Sequence, residues 1–132
     1  MNDDFVSFDL AKKLKEKGFK NNCIGYYDYA GEFHYDYESN ISNREIYFCH
    51  NKYDNIWHRD LVDAPTISQV LKWLREEKKI YLELVIVVDT EYMCDIYKID
   101  ARPIECLGST EYYTTYEDAA LAGIKYVLDY LI

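Results

Sequence analysis

The stretch Ala64-Pro65-Thr66-Ile67-Ser68-Gln69-Val70-Leu71-Lys72-Trp73-Leu74-Arg75-Glu76 decides how this chain folds. Thr66 is a favourable N-cap residue, and Gln69 three positions later can complete a capping box. The apolar residues after this cap recur at helical spacing and form one stripe, made of Ile67, Val70, Leu71 and Leu74. A helix is therefore predicted, and it leads into the apolar run Ile80 to Val88, which is predicted to be a strand.

Two further helices are predicted, one near each end of the sequence. The segment Ser7 to Lys17 is apolar on one side and basic on the other, as expected of a surface helix. The last helix is predicted to follow Thr114 or Thr115 as its N-cap. Glu117 and Asp118 then lie in its first turn, where the helix dipole favours acidic side chains.

The first of two predicted β-hairpins pairs Cys23 to Asp28 with Glu32 to Tyr37 and turns near Ala30-Gly31. Side chains alternate along a strand, so the predicted core face consists of Ile24, Tyr26, Phe33, Tyr35 and Tyr37. The opposite face is acidic and aromatic, and it consists of Tyr27, Tyr29, Glu32, His34 and Asp36. Because tyrosines beside charged groups suit protein interfaces, this face is a candidate protein-binding patch. The alternative is an ordinary solvated face in a chain with 15 tyrosines.

The second predicted hairpin pairs Ile80 to Val88 with Tyr92 to Ile99 around the turn Asp89-Thr90-Glu91. In the expected register Glu83 lies opposite Lys98, and this charge pair supports the alignment. The fold class predicted from these elements is α+β: two antiparallel β-hairpins and three helices in the order α-ββ-α-ββ-α.

Three other features complete the predicted fold. All of residues 1-132 are expected to form a single globular domain, because 132 residues suit one domain. Residues 102–107 could add one short edge strand, and residues 51–63 are predicted to be an ordered loop. In the expected register of the second hairpin, Asp95 lies on the core face beside Ile86, either as a buried carboxylate or as the sign of a bulge or a slipped register.

The composition is acidic and restricts the partners that the chain is expected to bind. With 15 basic and 24 acidic side chains the net charge is -9, which disfavours direct binding to nucleic acid or to anionic membranes. The start of the chain lacks the pattern of a signal peptide, and no run is long enough for a membrane helix. A cytoplasmic location and a protein partner are therefore predicted, and a homo-oligomer is left open.

Four cysteines occur without any CxxC pair, which predicts free thiols in a reducing compartment. A zinc site would have to combine distant residues, from the set Cys49, His50, His58, Cys94 and Cys106. Structural zinc sites usually use closely spaced ligand pairs, so no metal and no cofactor are predicted. No nucleophile or acid–base pair has a supporting signature, and no catalytic residue is assigned.

Two segments resemble small proteins that are common in Bacteroides genomes, prophages and mobile elements. One runs from Ala64-Pro65-Thr66 to Trp73-Leu74-Arg75-Glu76. The other runs from Tyr116-Glu117-Asp118-Ala119-Ala120 to Gly123-Ile124-Lys125-Tyr126. The likeness covers the central helix and the C-terminal third of the chain. It implies a bacterial or phage origin and no particular activity.

These observations lead to one functional prediction with two alternatives. The prediction is a non-catalytic protein-interaction or accessory factor of bacterial or phage origin. One alternative is an acidic nucleic-acid mimic that inhibits a DNA-binding protein, which the net charge favours. The other is a small-molecule-binding domain or enzyme with a pocket near residues 51–63.

Overall fold

A computed structural model describes residues 4–28, 30–35 and 61–132 of the chain. This part contains three α-helices and two three-stranded antiparallel sheets, so the predicted α+β class is confirmed. The chain divides into two compact units, Val6–Pro65 and Met1–Phe5 with Thr66–Ile132. The prediction of a single domain stays a prediction. Among the helices of the described ranges, none combines the length and the apolar character needed to cross a bilayer.

The unit Val6–Pro65 begins with helix α1, Phe8–Glu16. Ser7 is its N-cap and its Oγ accepts a hydrogen bond from the backbone N–H of Leu10 at 3.3 Å. The helix buries its apolar stripe, which consists of Leu10, Ala11 and Leu14. It ends before Gly18, whose φ of +95° is a left-handed conformation that glycine adopts at little cost.

The sheet of this unit has three short strands: β1 (Gly25–Tyr27), β2 (Phe33–Tyr35) and β3 (Val62–Ala64). Strand β1 is central, and both neighbours run antiparallel to it. Strand β3 corrects the prediction that residues 51–63 form only a loop; residues 51–60 lie outside the described residues. Its three residues are in turn buried, half-buried and buried, which is the pattern of a strand. The segment is too short for this pattern to identify a strand from the sequence alone.

The register of the first hairpin differs from the predicted one by one residue. Tyr26 pairs with His34 and Tyr27 pairs with Phe33, so the buried side chain is Tyr27, which is 2% exposed. Ile24, predicted to be core, is 57% exposed. The side chains of the first arm, which contains β1, therefore lie on the opposite face of the sheet from the one predicted.

The length of the turn explains this correction. The backbone N–H of Asp28 donates to the carbonyl of Glu32 at 2.9 Å, so three residues connect the two arms. Gly31, at φ +84°, takes the left-handed position that a three-residue hairpin loop requires. The predicted pairing assumed an even number of turn residues. With three turn residues, the side chains of the first arm lie on the opposite face of the sheet.

In the other unit, helix α2 (Ile67–Glu77) has the predicted capping box. The Oγ1 of Thr66 accepts from the N–H of Gln69 at 3.2 Å, and the Oε1 of Gln69 accepts from the N–H of Thr66 at 2.9 Å. The buried face consists of Ile67, Val70, Trp73 and Leu74. Leu71 is half-buried, so the buried stripe is rotated towards Trp73 relative to the predicted one.

The sheet of this unit consists of β4 (Ile80–Val88), β5 (Glu91–Lys98) and β6 (Glu105–Ser109), in the antiparallel order β4-β5-β6. The extra edge strand predicted over residues 102–107 corresponds to β6, which begins and ends slightly later in the sequence. Helix α3 (Tyr116–Tyr126) follows the sheet, and a single π-helical turn continues it at Val127–Leu131.

The register of the second hairpin was also predicted wrongly. Glu83 pairs with Asp95, and Lys98 pairs with Ile80 instead. The turn is shorter than predicted, because Val88 pairs with Glu91 and only two residues connect the strands. In addition, the register changes at a bulge between Ile86 and Val88. Because of the bulge and the two-residue turn, Glu83 and Lys98 do not lie opposite each other.

The same shift moves Asp95 off the face that carries Ile86. Asp95 is half-buried, and its Oδ1 accepts a hydrogen bond from the Oγ of Ser109 on the neighbouring strand at 2.6 Å. The predicted slipped register is therefore the correct explanation of this position, and Asp95 is not a carboxylate buried beside Ile86.

Helix α3 packs on the buried face of the second sheet through a small residue. A Cβ atom added to Gly123 would lie 2.6 Å from the Sγ of Cys94 and 2.9 Å from Cδ2 of Leu82. The helix backbone therefore approaches the sheet closely at this point. The fully buried residues around it are Cys94, Ile96, Ala119, Ala120, Ile124 and Val127.

Candidate functional site

The turn between β1 and β2 brings together three side chains that can act as metal ligands or as acid–base groups. Asp28 follows β1, Glu32 precedes β2, and His34 lies in the middle of β2. Their carboxylate and imidazole ligand atoms all lie within 4.8 Å of one another. We refer to Asp28, Glu32 and His34 as the turn cluster.

Asp28 is fixed in place by the turn itself. Its Oδ1 accepts hydrogen bonds from the backbone N–H groups of Ala30 at 2.9 Å and Glu32 at 3.0 Å. Its Oδ2 lies 2.8 Å from Nε2 of His34. The hydrogen bond with His34 is the main reason that the pKa of Asp28 lies below its ordinary value, and the two backbone donors act in the same direction.

His34 is oriented from two sides. Its ring stacks on the ring of Tyr26, its cross-strand partner, with centroids 5.2 Å apart and planes inclined by 20°. Its Nε2 atom is directed at Asp28. The imidazole therefore has a defined orientation although the residue is only half-buried.

The structure divides the predicted protein-binding patch. Glu32 and His34 lie together at the turn, as expected of two residues on one face. Tyr29 and Asp36 lie outside the described residues. Tyr27 was wrongly placed, because the three-residue turn directs it into the core.

Tyr27 is a structural residue. Its hydroxyl donates a hydrogen bond to the carbonyl of Val6. Its ring contacts the rings of Phe8 and Phe33, with centroids 5.4 Å and 5.6 Å away. Burial raises the pKa of Tyr27, which therefore remains a neutral donor at physiological pH.

Sequence reasoning missed Asp28 as a member of the site. The signal available in the sequence was Asp28 three residues before Gly31, a spacing typical of an aspartate that caps a turn. Its contact with His34 depends on the turn length and could not be read from alternation alone.

The cysteines do not assemble a site in the part of the chain with described coordinates. Cys94 is fully buried, and this burial, with a smaller contribution from Asp95, raises the pKa of its thiol to about 12. Cys106 is exposed, and Cys49, His50 and His58 lie outside the described residues. Among the described residues, the group of potential metal ligands contains no cysteine.

A second surface feature lies at the end of the second hairpin. Ile86 is 67% exposed and Val88 is 54% exposed, and Val87 between them is also exposed. We refer to these three residues as the apolar tip. The register shift at this point interrupts the strict alternation of side chains, so adjacent residues need not face opposite sides.

Comparison with protein-family models, curated proteins and solved structures finds no match to this chain. The function of this chain therefore has to be inferred from its own residues. The turn cluster offers one imidazole and two carboxylates at a hydrogen-bonded turn, and the apolar tip offers exposed aliphatic surface at a strand end.

Proposed function

We propose that this chain is a non-catalytic protein-interaction or accessory factor that binds another protein through the apolar tip. The observation that supports the proposal is the exposure of three consecutive aliphatic side chains, Ile86, Val87 and Val88. A single exposed aliphatic residue is common on soluble proteins, whereas a contiguous apolar patch is typical of an interaction site. The bacterial or phage origin and the cytoplasmic location stay predictions from the sequence.

The surroundings of the tip indicate the chemistry of the partner. Asp89 is an exposed acidic residue in the turn, and Glu91 follows it as a half-buried one. An apolar centre with a charged rim is the usual arrangement of a protein interface. The partner surface is therefore expected to be an apolar pocket with lysine or arginine at its edge, which also suits a chain with net charge -9.

The proposal is tested by site-specific photo-crosslinking. A photoreactive phenylalanine analogue replaces Ile86 in one sample and Ile104 in another, and both proteins are irradiated in a lysate of the native host. Ile104 is a matched control because it is also an exposed isoleucine, at 59%. A discrete crosslinked product is expected from position 86 and not from position 104.

Competition identifies whether the product reflects specific binding. Excess unmodified protein should abolish the crosslink, and an excess of the variant Ile86→Ser with Val88→Ser should not. Identical products from both positions, or equal competition by the variant, would contradict binding through the tip. The tip is solvent-exposed, so the double variant should change the free energy of unfolding little.

A further inference from the structure

We propose that the turn cluster, Asp28, Glu32 and His34, binds a divalent transition-metal ion, and that Zn²⁺ is the ion that fits it best. This inference does not depend on the proposed protein interaction. It also departs from the sequence-based prediction of no metal, which considered cysteine ligands and did not include Asp28.

The donor set selects the class of ion. One imidazole nitrogen and two carboxylate oxygens suit zinc and its first-row neighbours, whereas magnesium and calcium prefer oxygen ligands throughout. Three protein ligands leave at least one coordination position for water, as in zinc sites that remain open to solvent. The cluster contains no thiolate, so its affinity is not sensitive to oxidation.

Two of the three ligand atoms are already positioned for binding. The Oδ2 of Asp28 and the Nε2 of His34 are 2.8 Å apart. Two ligands at about 2.1 Å from one tetrahedral ion are about 3.4 Å apart, so the pair has to separate by roughly half an ångström. The ion would lie between these two atoms and would replace the hydrogen bond that now joins them.

Interactions around the cluster hold these two ligands in orientation. Two backbone N–H groups fix the other carboxylate oxygen of Asp28, which leaves Oδ2 directed at the imidazole. The ring of Tyr26 stacks on the His34 imidazole and limits its rotation. Hydrogen bonds and contacts that orient ligands in this way typically improve metal affinity by about ten- to a hundredfold.

Glu32 is the ligand with the most freedom to adjust to the ion. The ligand atoms of the cluster already lie within 4.8 Å of one another, and two ligands of one tetrahedral ion lie about 3.4 Å apart, so a small adjustment is sufficient. Glu32 is exposed, and its long side chain can reach the ion by rotating about its own bonds, without disturbing the core. Binding is therefore expected to order Glu32 and to leave the strands unchanged.

The experiment is a titration of the full chain with ZnCl₂, followed through the imidazole signals in NMR spectra. The chain has three histidines, so the His34 signals are assigned by their loss in His34→Gln. One equivalent of Zn²⁺ should shift the His34 ring signals. Asp28→Asn and Glu32→Gln should each weaken the affinity at least about tenfold.

The variants are matched to separate ligand loss from loss of the turn. Asparagine at position 28 keeps the Oδ1 acceptor for the N–H groups of Ala30 and Glu32, so their amide signals should report an intact turn. Glu32→Gln changes an exposed side chain and provides a second test that does not depend on position 28. The control Asp89→Asn with Glu91→Gln removes two acidic charges from the other hairpin and should leave the affinity unchanged.

Two results would overturn the inference. One is the absence of zinc binding to the unmodified chain at concentrations up to about 1 mM, which is the weak end of biological affinities. The other is that both His34→Gln and Glu32→Gln bind one equivalent of Zn²⁺ with the affinity of the unmodified chain, because the ion would then be bound elsewhere in the chain.

Discussion

Replacing Gly123 by alanine should destabilise the unit that contains α3, although alanine is a better helix former than glycine. Helix propensity alone predicts a gain of about 1 kcal/mol. Packing opposes it, because the new methyl group would lie 2.6 Å from the Sγ of Cys94 and 2.9 Å from Cδ2 of Leu82. Ordinary contacts between such atoms are about 3.5 to 4 Å, so the helix or the thiol has to move by about 1 Å.

The size of the effect follows from these two opposing contributions. Adding a methyl group to a well-packed core costs about 1 to 3 kcal/mol. After the gain in propensity is subtracted, Gly123→Ala should lower the free energy of unfolding by up to about 2 kcal/mol. Cys94→Ala removes the closest atom, so Gly123→Ala should be less harmful, or stabilising, when position 94 is alanine.

A double-mutant cycle measures this dependence directly. Urea unfolding of the two single variants and the double variant should give a coupling free energy of about 1 kcal/mol or more. The matched control pairs Gly123→Ala with Cys106→Ala, which changes an exposed cysteine and should give additive effects. If Gly123→Ala stabilised the protein by the full propensity gain and showed no coupling to Cys94→Ala, the close approach of helix and sheet would be refuted.

Two further predictions concern buried polar groups. Tyr27→Phe leaves the Val6 carbonyl without its donor and should cost about 1 to 3 kcal/mol in urea melts, whereas Tyr130→Phe on the surface should change stability by less than about 0.5 kcal/mol. Equal effects of the two substitutions would contradict the assigned hydrogen bond. At pH 8 the Cys94 thiol, with a pKa of about 12, is ionised in only about one molecule in ten thousand, so iodoacetamide should label Cys106 and spare Cys94 in the folded protein. Peptide mapping checks this, and comparable labelling rates at the two positions would show that Cys94 is accessible.

The parts of the fold that depend on local chemistry could be predicted from the sequence. The capping box of Thr66 and Gln69 needs only residues three positions apart, and both of its hydrogen bonds are present. The helix that follows Thr115 likewise begins as its cap and acidic first turn indicate. In these segments the residues that interact are neighbours in the sequence.

The strand registers could not be predicted, because they depend on the turns. Gly31 permits a three-residue turn in the first hairpin, and a shift next to Val88 changes the pairing in the second. Neither feature is visible in the alternation of the strands, which fits either register. The charge pair of Glu83 and Lys98 was plausible but not decisive, since an exposed pair contributes little free energy.

The candidate site was recovered only in part for the same reason. Glu32 and His34 are two residues apart on the same arm of the hairpin, so alternation places them together whatever the register. Asp28 joins them across the turn, and its distance from His34 depends on how many residues the turn contains. Tyr27 was lost from the patch because the same turn directs it inward.

The turn of the first hairpin also determines which changes in chain length this protein can accept. A residue inserted between Asp28 and Glu32 gives a four-residue loop, which is a common hairpin length, and leaves Tyr27 paired with Phe33. The same insertion moves the backbone N–H of Glu32 away from the Oδ1 of Asp28, to which it donates. Changes of length at this turn are therefore expected to spare the core and to disturb the orientation of Asp28.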